Sequence, residues 1–258
     1  LYPEPFGQNI YPWKAQNHSS IYKKLNPMIR IINLSKKYDD KQVLNIENLI
    51  IEKGERFGLV GNNGAGKTTL FNLILDLVKP HTGDIYNKDI PVSESELWKT
   101  HTSAFIDESF LIGYLSPEEY LNFVAELRGV NEQQLKSWIH QYEPFFNDEV
   151  LGQNKYIRNL SKGNQKKVGL VASFIGNPEC VILDEPFANL DPSSQIRFKE
   201  IIKKHIDDKS TTFLISSHDL SHVTEVCERI VLLEKGIPIK DIKTDSETFD
   251  QLEEYFKA

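Results

Sequence analysis

One glycine-rich segment, GNNGAGKTTL at residues 61–70, restricts the possible folds of this chain more than any other part of its sequence. It fits the pattern G-x-x-x-x-G-K-[ST], with a buried-strand run (RFGLV, 56–60) before it and an amphipathic segment after it. The fixed positions of the pattern are Gly61, Gly66, Lys67 and Thr68. Because glycine has no Cβ, backbone N–H groups in such a loop curve around an oxygen-rich anion. The segment therefore predicts a phosphate-binding loop between a strand and a helix.

The residues after the glycines suit a nucleoside triphosphate with its metal ion. The N-terminus of the predicted helix adds a partial positive charge. Lys67 is long enough to reach the β- and γ-phosphates, and the Thr68 hydroxyl supplies an oxygen ligand of the kind that Mg²⁺ prefers. This pattern does not by itself separate GTPases, kinases and ATPases. The tripeptide NKD (87–89) begins a guanine-recognition motif N-K-x-D, but Ile90 stands at its fourth position, so that interpretation fails.

A buried strand that ends in two acidic residues indicates hydrolysis. In CVILDEPFANLDP (180–192), apolar residues lead directly into Asp184 and Glu185. Neighbouring residues on a strand point to opposite faces. One carboxylate can therefore contribute to a Mg²⁺ shell while the other orients an attacking water, and hydrolysis of a nucleoside triphosphate needs both.

A second anion site is predicted upstream, in LSKGNQKKVGL (160–170). Ser161 can cap the helix that follows, and Gly163 leaves the backbone exposed there. The lysines at 162, 166 and 167 add positive charge, although they would also suit a solvated helix face.

Strand-like and helix-like segments alternate from residue 29 onward, which favours an α/β fold whose parallel sheet has helices on both faces. The predicted strands are 29–34, 43–51, 56–60, 103–106, 180–184, 211–215, 228–234 and 237–240. Three apolar stripes at helical spacing are predicted to be core faces. They are Leu70, Leu73, Ile74 and Leu77; Tyr120, Phe123, Val124 and Leu127; and Val168, Val171, Ala172 and Ile175. The second stripe follows LSPEEY, in which Ser116 and Glu119 form a capping box.

Composition limits the class of partner and the compartment. The formal net charge is −7, whereas nucleic-acid binders are more often basic, so no nucleic-acid partner is expected. No apolar run approaches the length of a membrane span, and no secretory signal is recognisable. Cys180 and Cys227 fit no disulfide or metal spacing and are predicted to be reduced residues in or near the core. These features predict a cytoplasmic protein.

With these motifs in order, the chain resembles the ATP-binding subunit of ABC transporters over nearly all of residues 29–258. The further matches are LSKGN (160–164) to the L-S-G-G-Q signature, VILDE (181–185) to the second nucleotide motif, ANLD (188–191) to the D-loop, His218 to the switch histidine, and Tyr38 to the adenine-stacking aromatic. Any one of these short motifs is weak evidence, but six in register are highly specific.

The resemblance implies a P-loop NTPase fold of the RecA-like type, with a mostly parallel sheet, an antiparallel β region and a small helical subdomain at about 108–165. It also implies an ATPase whose two copies face each other head to tail, a homodimer being favoured over a heterodimer. Membrane-spanning permease subunits would be the partners, most similar to export-type systems, on the inner face of the cell membrane. Dimer closure on ATP would then drive substrate movement.

The resemblance assigns roles to individual residues. Contacts to ATP and its phosphates would come from Tyr38, Gly61, Asn62, Asn63, Gly64, Ala65, Gly66, Lys67, Thr68 and Thr69. Ser161 and Gly163 would contact the γ-phosphate on the partner, and Asp191 would link the two sites. Glu185 and His218 would be catalytic, while Thr68, Asp184 and Asp107 would hold Mg²⁺.

Two departures from the family pattern affect these assignments. The signature has Lys162 and Asn164 where glycine and glutamine are commonest, but it keeps the serine and the second glycine that contact phosphate. The segment SAFIDES places Asp107 where the family has a glutamine, or Glu108 if the register shifts by one. Aspartate can still bind Mg²⁺, but it adds charge and has a shorter reach, so hydrolysis or coupling could be altered.

Two alternatives stay open from the sequence. One is a non-transport member of the superfamily that acts on ribosomes or DNA, although a single motif set, an acidic composition and the absence of a coiled-coil pattern disfavour it. The other is a regulatory module that binds ATP without hydrolysing it, suggested by Asp107.

Three further segments have predicted roles. Residues 1–28 would be an N-terminal extension or arm, since Met28 resembles a natural start. FDQLEEYFKA (249–258) would be a locally packed terminal helix that uses Phe249, Leu252 and Phe256. An exposed subset of the apolar residues in 108–160 would form a docking patch. The candidates are Phe110, Leu111, Tyr114, Leu115, Tyr120, Phe123, Trp138, Phe145 and Phe146.

Overall fold

Two sheets organise the part of the chain that the computed structural model describes, residues 27–205, 211–245 and 247–257. The first is antiparallel and has the order β2-β1-β4-β5, in which the strands are β1 (Pro27–Tyr38), β2 (Lys41–Glu52), β4 (Thr82–Asn87) and β5 (Ile90–Pro91). The second has the order β10-β9-β3-β8-β7-β6. Its strands are β3 (Arg56–Val60), β6 (Thr102–Phe105), β7 (Cys180–Leu183), β8 (Thr212–Ser217), β9 (Arg229–Glu234) and β10 (Ile237–Lys243).

Every predicted strand is present, and the second sheet is parallel except where β10 pairs with β9. The sequence did not reveal β4 and β5, because TGDIYN and IP contain no apolar run and no sustained alternation. Residues 1–26 of the predicted N-terminal extension lie outside the described residues. Its last two residues belong to β1 instead, and Met28 is fully buried there.

Helices connect and cover the strands. The α-helices of the described residues are α1 (Lys67–Ile74), α2 (Pro117–Leu127), α3 (Glu132–Ile139), α4 (Glu143–Phe146), α5 (Lys162–Ala172), α6 (Pro192–Lys204), α7 (Leu220–Val226) and α8 (Thr248–Lys257). Short 3₁₀ turns occur at Leu97–Thr100, Glu108–Phe110, His140–Tyr142 and Ile157–Asn159. Within the described residues, none of the helices combines the length and the apolar character that a membrane crossing requires.

The parallel sheet has an apolar cluster on each face. On β7, Cys180 and Ile182 belong to the cluster shared with the antiparallel sheet and α1, while Val181 and Leu183 belong to the cluster shared with the other helices. This alternation follows from the two-residue period of a strand. Cys180 and Cys227 are both buried and free, as predicted. Because both faces are covered, the ends of the strands are the exposed parts of this sheet, and ligands of open α/β sheets bind at the carboxyl ends.

The segment 111–160 does not have a separate core. Leu121, Phe145 and Phe146 are buried in the same cluster as Phe198 of α6 and Phe213 of β8. Rings of this cluster lie close together, with 5.6 Å between the centroids of Phe145 and Phe198. Helices α2 to α5 are therefore anchored on the sheet by apolar contacts. The terminal helix α8 also joins this core through Leu252, while the side chain of Phe256 lies outside the described part.

Helix α2 has the predicted core face only in part: Tyr120 and Val124 are partly buried and pack against the core, as predicted. Its buried residues are Pro117, Leu121 and Ala125, whereas Leu127 is 71% exposed and Phe123 is also exposed. Both sets of residues have helical spacing, and only contact with the sheet distinguishes them. The other two stripes are buried as predicted, apart from Leu77, which lies beyond the end of α1 and is exposed.

Replacing Leu121 with alanine should lower the free energy of unfolding by about 2–5 kcal/mol, because the change leaves a cavity in a fully buried site. The matched variant on the same helix, Leu127→Ala, should change it by no more than about 0.5 kcal/mol. Urea unfolding followed by circular dichroism measures both values. Equal effects of the two variants would show that the assignment of the buried face is incorrect.

Candidate functional site

The glycine-rich loop joins the end of β3 to the start of α1, at the carboxyl edge of the parallel sheet. Gly61 is required by packing, since a Cβ there would lie 2.3 Å from the carbonyl oxygen of Leu233. Gly66 has a φ of 108°, which an L side chain rarely adopts, and a Cβ would also meet Val43. Gly64 has a φ of 81° in open space. The glycines therefore fix a loop conformation whose outer side faces solvent.

Several backbone N–H groups of this loop are free to bind an anion. No side chain caps the N-terminus of α1, and its first turn has no acidic residue. The N–H groups of Asn63, Gly64 and Gly66 have no acceptor among the described residues. The Ala65 N–H donates to Asn62 O at 3.0 Å and closes the turn. Uncapped amides and the positive end of a helix dipole together favour a phosphate group.

Lys67 is 6% exposed and lies between the loop and an acidic residue. Its Nζ donates to Gly61 O at 2.7 Å and lies 3.2 Å from Glu185 Oε1. These contacts give the ammonium group of Lys67 a hydrogen-bond acceptor and a counter-charge when no nucleotide is bound. A phosphate would offer the ammonium group a stronger acceptor, because charge-assisted hydrogen bonds exceed those to a neutral carbonyl.

Asp184 follows β7 and is 5% exposed. Thr68 Oγ1 donates to its Oδ2 at 2.5 Å, and the Ser216 hydroxyl donates to its Oδ1. Burial raises the pKa of this carboxyl, while the two hydroxyl donors partly offset the effect. A divalent cation beside Thr68 and Asp184 would remove that penalty by supplying positive charge. The structure therefore places Thr68 and Asp184, the two predicted metal ligands, side by side. The sequence analysis did not identify Ser216.

Glu185 has an unusual backbone, with a φ of 47° that few non-glycine residues adopt. Three groups hold it there. Its N–H donates to Ser216 Oγ at 2.9 Å, Lys166 Nζ donates to its carbonyl at 2.9 Å, and its Oε2 lies 2.8 Å from His218 Nδ1. In this conformation the carboxylate of Glu185 contacts Lys67 and His218. Left-handed non-glycine residues that are fixed in this way cluster at active sites.

A family model described as ABC transporter matches residues 44–188, which is more than half of the chain. The chain belongs to the ABC transporter family.

Similar proteins that align with most of this chain support its membership of the family. An ABC transporter ATP-binding protein of Methanocaldococcus jannaschii is 32% identical over 224 residues, which are 82% of this chain and 76% of that protein. A lantibiotic transport ATP-binding protein of Streptococcus pyogenes is 32% identical over 231 residues, which are 89% of this chain and 96% of that protein. The chain is therefore the ATP-binding and ATP-hydrolysing subunit of an ABC transporter.

Solved structures share the same fold. An ATP-binding subunit of an ABC transporter superposes with a TM-score of 0.74 at 25% identity, over 89% of this chain and 93% of that one. A dimeric bacterial ABC transporter cassette gives a TM-score of 0.76 at 23% identity, over 85% of this chain and all of that one. The P-loop NTPase fold with its antiparallel β region is thus confirmed.

The signature segment of this ABC subunit begins α5. Ser161 caps the helix by accepting from Asn164 N at 3.2 Å. Gly163 passes close to the D-loop, and a Cβ there would lie 2.8 Å from Asn189 O. Among the described residues, no hydrogen bond joins Ser161 or Gly163 to the phosphate loop of the same chain. Ser161 is exposed, so the second predicted anion site opens to solvent.

Asp191 caps α6 in this chain. Its carboxylate accepts from Ser194 N at 2.9 Å and from the hydroxyls of Ser193 and Ser194 at 2.6 Å each. These hydrogen bonds, first that of Ser193, hold the pKa of Asp191 well below its usual range. It therefore stays charged at neutral pH, and Lys167 Nζ lies 3.9 Å away. Its predicted link to a second site stays a prediction.

Two further predicted site residues, Tyr38 and Asp107, are exposed near the ends of strands. Tyr38 lies at the end of β1, where it is 47% exposed and has Lys36 Nζ 5.1 Å from its ring centroid. Asp107 follows β6, and its carboxylate accepts from Ser109 N at 2.8 Å. Hydrogen bonds from Ser109, first that of its side chain and then that of its backbone N–H, lower the pKa of Asp107. Within the described residues Asp107 does not contact Thr68 or Asp184, so its role as a metal ligand also stays a prediction.

Proposed function

We propose that two copies of this subunit bind ATP head to tail, with the phosphate loop of each facing the start of α5 of the other. The observation that carries this proposal is that no hydrogen bond joins the two predicted anion sites within the described residues. The loop from Gly61 to Thr69 offers unpaired amides, and Ser161 and Gly163 offer a second exposed helix N-terminus. A second copy would bring the two halves together, with Tyr38 against adenine and Asp191 between the sites.

Thr68 and Asp184 have the chemistry to hold Mg²⁺, because the hydroxyl of the exposed Thr68 already lies against the buried carboxylate of Asp184. Asp107 would enter this shell from the segment after β6. When bound, the cation neutralises charge on the phosphate oxygens.

Glu185 is the candidate general base for hydrolysis. Its carboxylate is partly exposed, is fixed by a strained backbone, and lies beside Lys67 of the phosphate loop. It can therefore accept a hydrogen bond from a water placed next to the γ-phosphate and orient that water for attack. His218 holds Oε2 of Glu185 through both its ring and its backbone N–H, at 2.8 and 3.3 Å. Lys67 would stabilise the charge that develops on the phosphate.

Membrane-spanning subunits on separate chains are the proposed partners, in an export-type system at the inner face of the cell membrane. The lantibiotic transport relative, which aligns over almost its whole length, supports this subclass. The segment 108–160 exposes several large apolar side chains, as the docking patch requires, while Phe145, Phe146 and Leu111 are buried. The exposed residues are Phe110, Ile112, Tyr114, Phe123, Leu127 and Tyr156.

Light scattering of the Glu185→Gln variant tests the pairing. This variant should retain ATP between two chains, so its mass should double when MgATP is added and should stay that of one chain without it. A chain that binds ATP but remains monomeric would contradict the homodimer. The double variant with Lys67→Met is the control, because its weaker ATP binding should keep it monomeric at a MgATP concentration that dimerises the single variant.

A further inference from the structure

A buried ion pair joins Glu108, in the turn after β6, to Lys166, which also contacts Glu185. Glu108 Oε1 lies 3.5 Å from Lys166 Nζ, and the two side chains are 9% and 6% exposed. Glu108 Oε1 is buried and accepts no hydrogen bond among the described residues. The positive charge of Lys166 therefore offsets the cost of burying this carboxylate. A buried charge without a partner is strongly unfavourable, so each member holds the other in place.

Lys166 makes its hydrogen bond to Glu185 and not to Glu108. Its Nζ donates to Glu185 O at 2.9 Å, at a residue whose φ is 47°. A left-handed glutamate costs about 1–3 kcal/mol unless its surroundings over-determine it. Ser216 holds the amide on one side of this residue and Lys166 holds the carbonyl on the other.

We propose that Lys166 and Glu108 are positioning residues for hydrolysis, with Lys166 fixing the backbone of Glu185 and Glu108 fixing Lys166. This inference rests on the proposed role of Glu185 as general base.

Steady-state ATP hydrolysis by the full chain tests the inference. Lys166→Met should lower kcat about tenfold and change KM for ATP less than about twofold, since the carboxylate is misplaced while phosphate binding is retained. The matched control is Lys199→Met, which removes a lysine that is 12% exposed and pairs with Glu225 at 2.7 Å. It should leave both kinetic parameters within about twofold of wild type.

Two further variants separate positioning from stability. Lys166→Met combined with Glu108→Gln removes both buried charges, so thermal stability should recover while kcat stays low. In a Glu185→Gln background, Lys166→Met should cause no further loss, because the residue that it positions is already disabled. Recovery of kcat together with stability, or an equal loss in both backgrounds, would overturn the inference. If Glu185→Gln itself retains wild-type turnover, the proposed role of Glu185 fails instead.

Discussion

The Glu185→Gln variant should hydrolyse ATP about 10²–10⁴-fold more slowly than wild type, the range that a general base contributes. Glutamine preserves the size of the side chain and can keep contact with His218, but it cannot accept a proton. Affinity for ATP should change little, since the phosphate loop and Lys67 are intact. Single-turnover hydrolysis with purified chain measures the chemical step directly.

An exposed glutamate provides the control for this experiment. Glu47 lies on β2 with its side chain in solvent, so Glu47→Gln should retain wild-type turnover. The Glu185 variant should also remain folded, because Ser216 and Lys166 hold its backbone rather than its carboxylate. Turnover within threefold of wild type would exclude Glu185 as the base and would favour another residue near the γ-phosphate.

Lys67→Met should weaken ATP binding by roughly 10–100-fold, because it removes charge-assisted hydrogen bonds worth about 1.5–3 kcal/mol. The variant also leaves Glu185 Oε1, which is buried, without its ion-pair partner at 3.2 Å. Two effects are therefore expected, namely a loss of nucleotide affinity and a change in the stability of the chain without nucleotide.

Isothermal titration calorimetry with MgATP measures the affinity, and thermal unfolding without nucleotide measures the stability. The control is Lys136→Met, at an exposed lysine of α3 that pairs with Glu132. The double variant Lys67→Met with Glu185→Gln should regain the stability lost through the unpaired carboxylate, but not the affinity. Unchanged affinity in Lys67→Met would contradict the assignment of the phosphate loop.

The local motifs were predicted correctly because short-range chemistry defines them. The phosphate loop requires glycines at fixed positions, the caps of α2 and α5 require Ser116 and Ser161 before a helix, and buried strands require apolar runs. Each of these signals lies within about ten residues. The family could therefore be recognised before any contact between distant segments was known.

Contacts between distant segments could not be predicted in the same way. Helical spacing does not distinguish Leu121 from Leu127 as the buried residue of α2, because both fit a helical stripe. Ser216 was overlooked since its partners, Asp184 and Glu185, lie more than 30 residues away. Lys166 was predicted to add positive charge at the second anion site or to lie on a solvated helix face, but it is buried.

The sequence by itself determined the P-loop, the acidic end of β7, the alternating α/β order and membership of the ABC transporter family. Only the tertiary structure decided which helix faces are buried, why Gly61 and Gly163 tolerate no side chain, and how Glu185 is held with a positive φ. The physical reason is that burial and backbone strain depend on atoms from remote segments. In this chain, Ser216 and Lys166 reach Glu185, and Glu108 reaches Lys166, only after the parallel sheet and α5 have packed together.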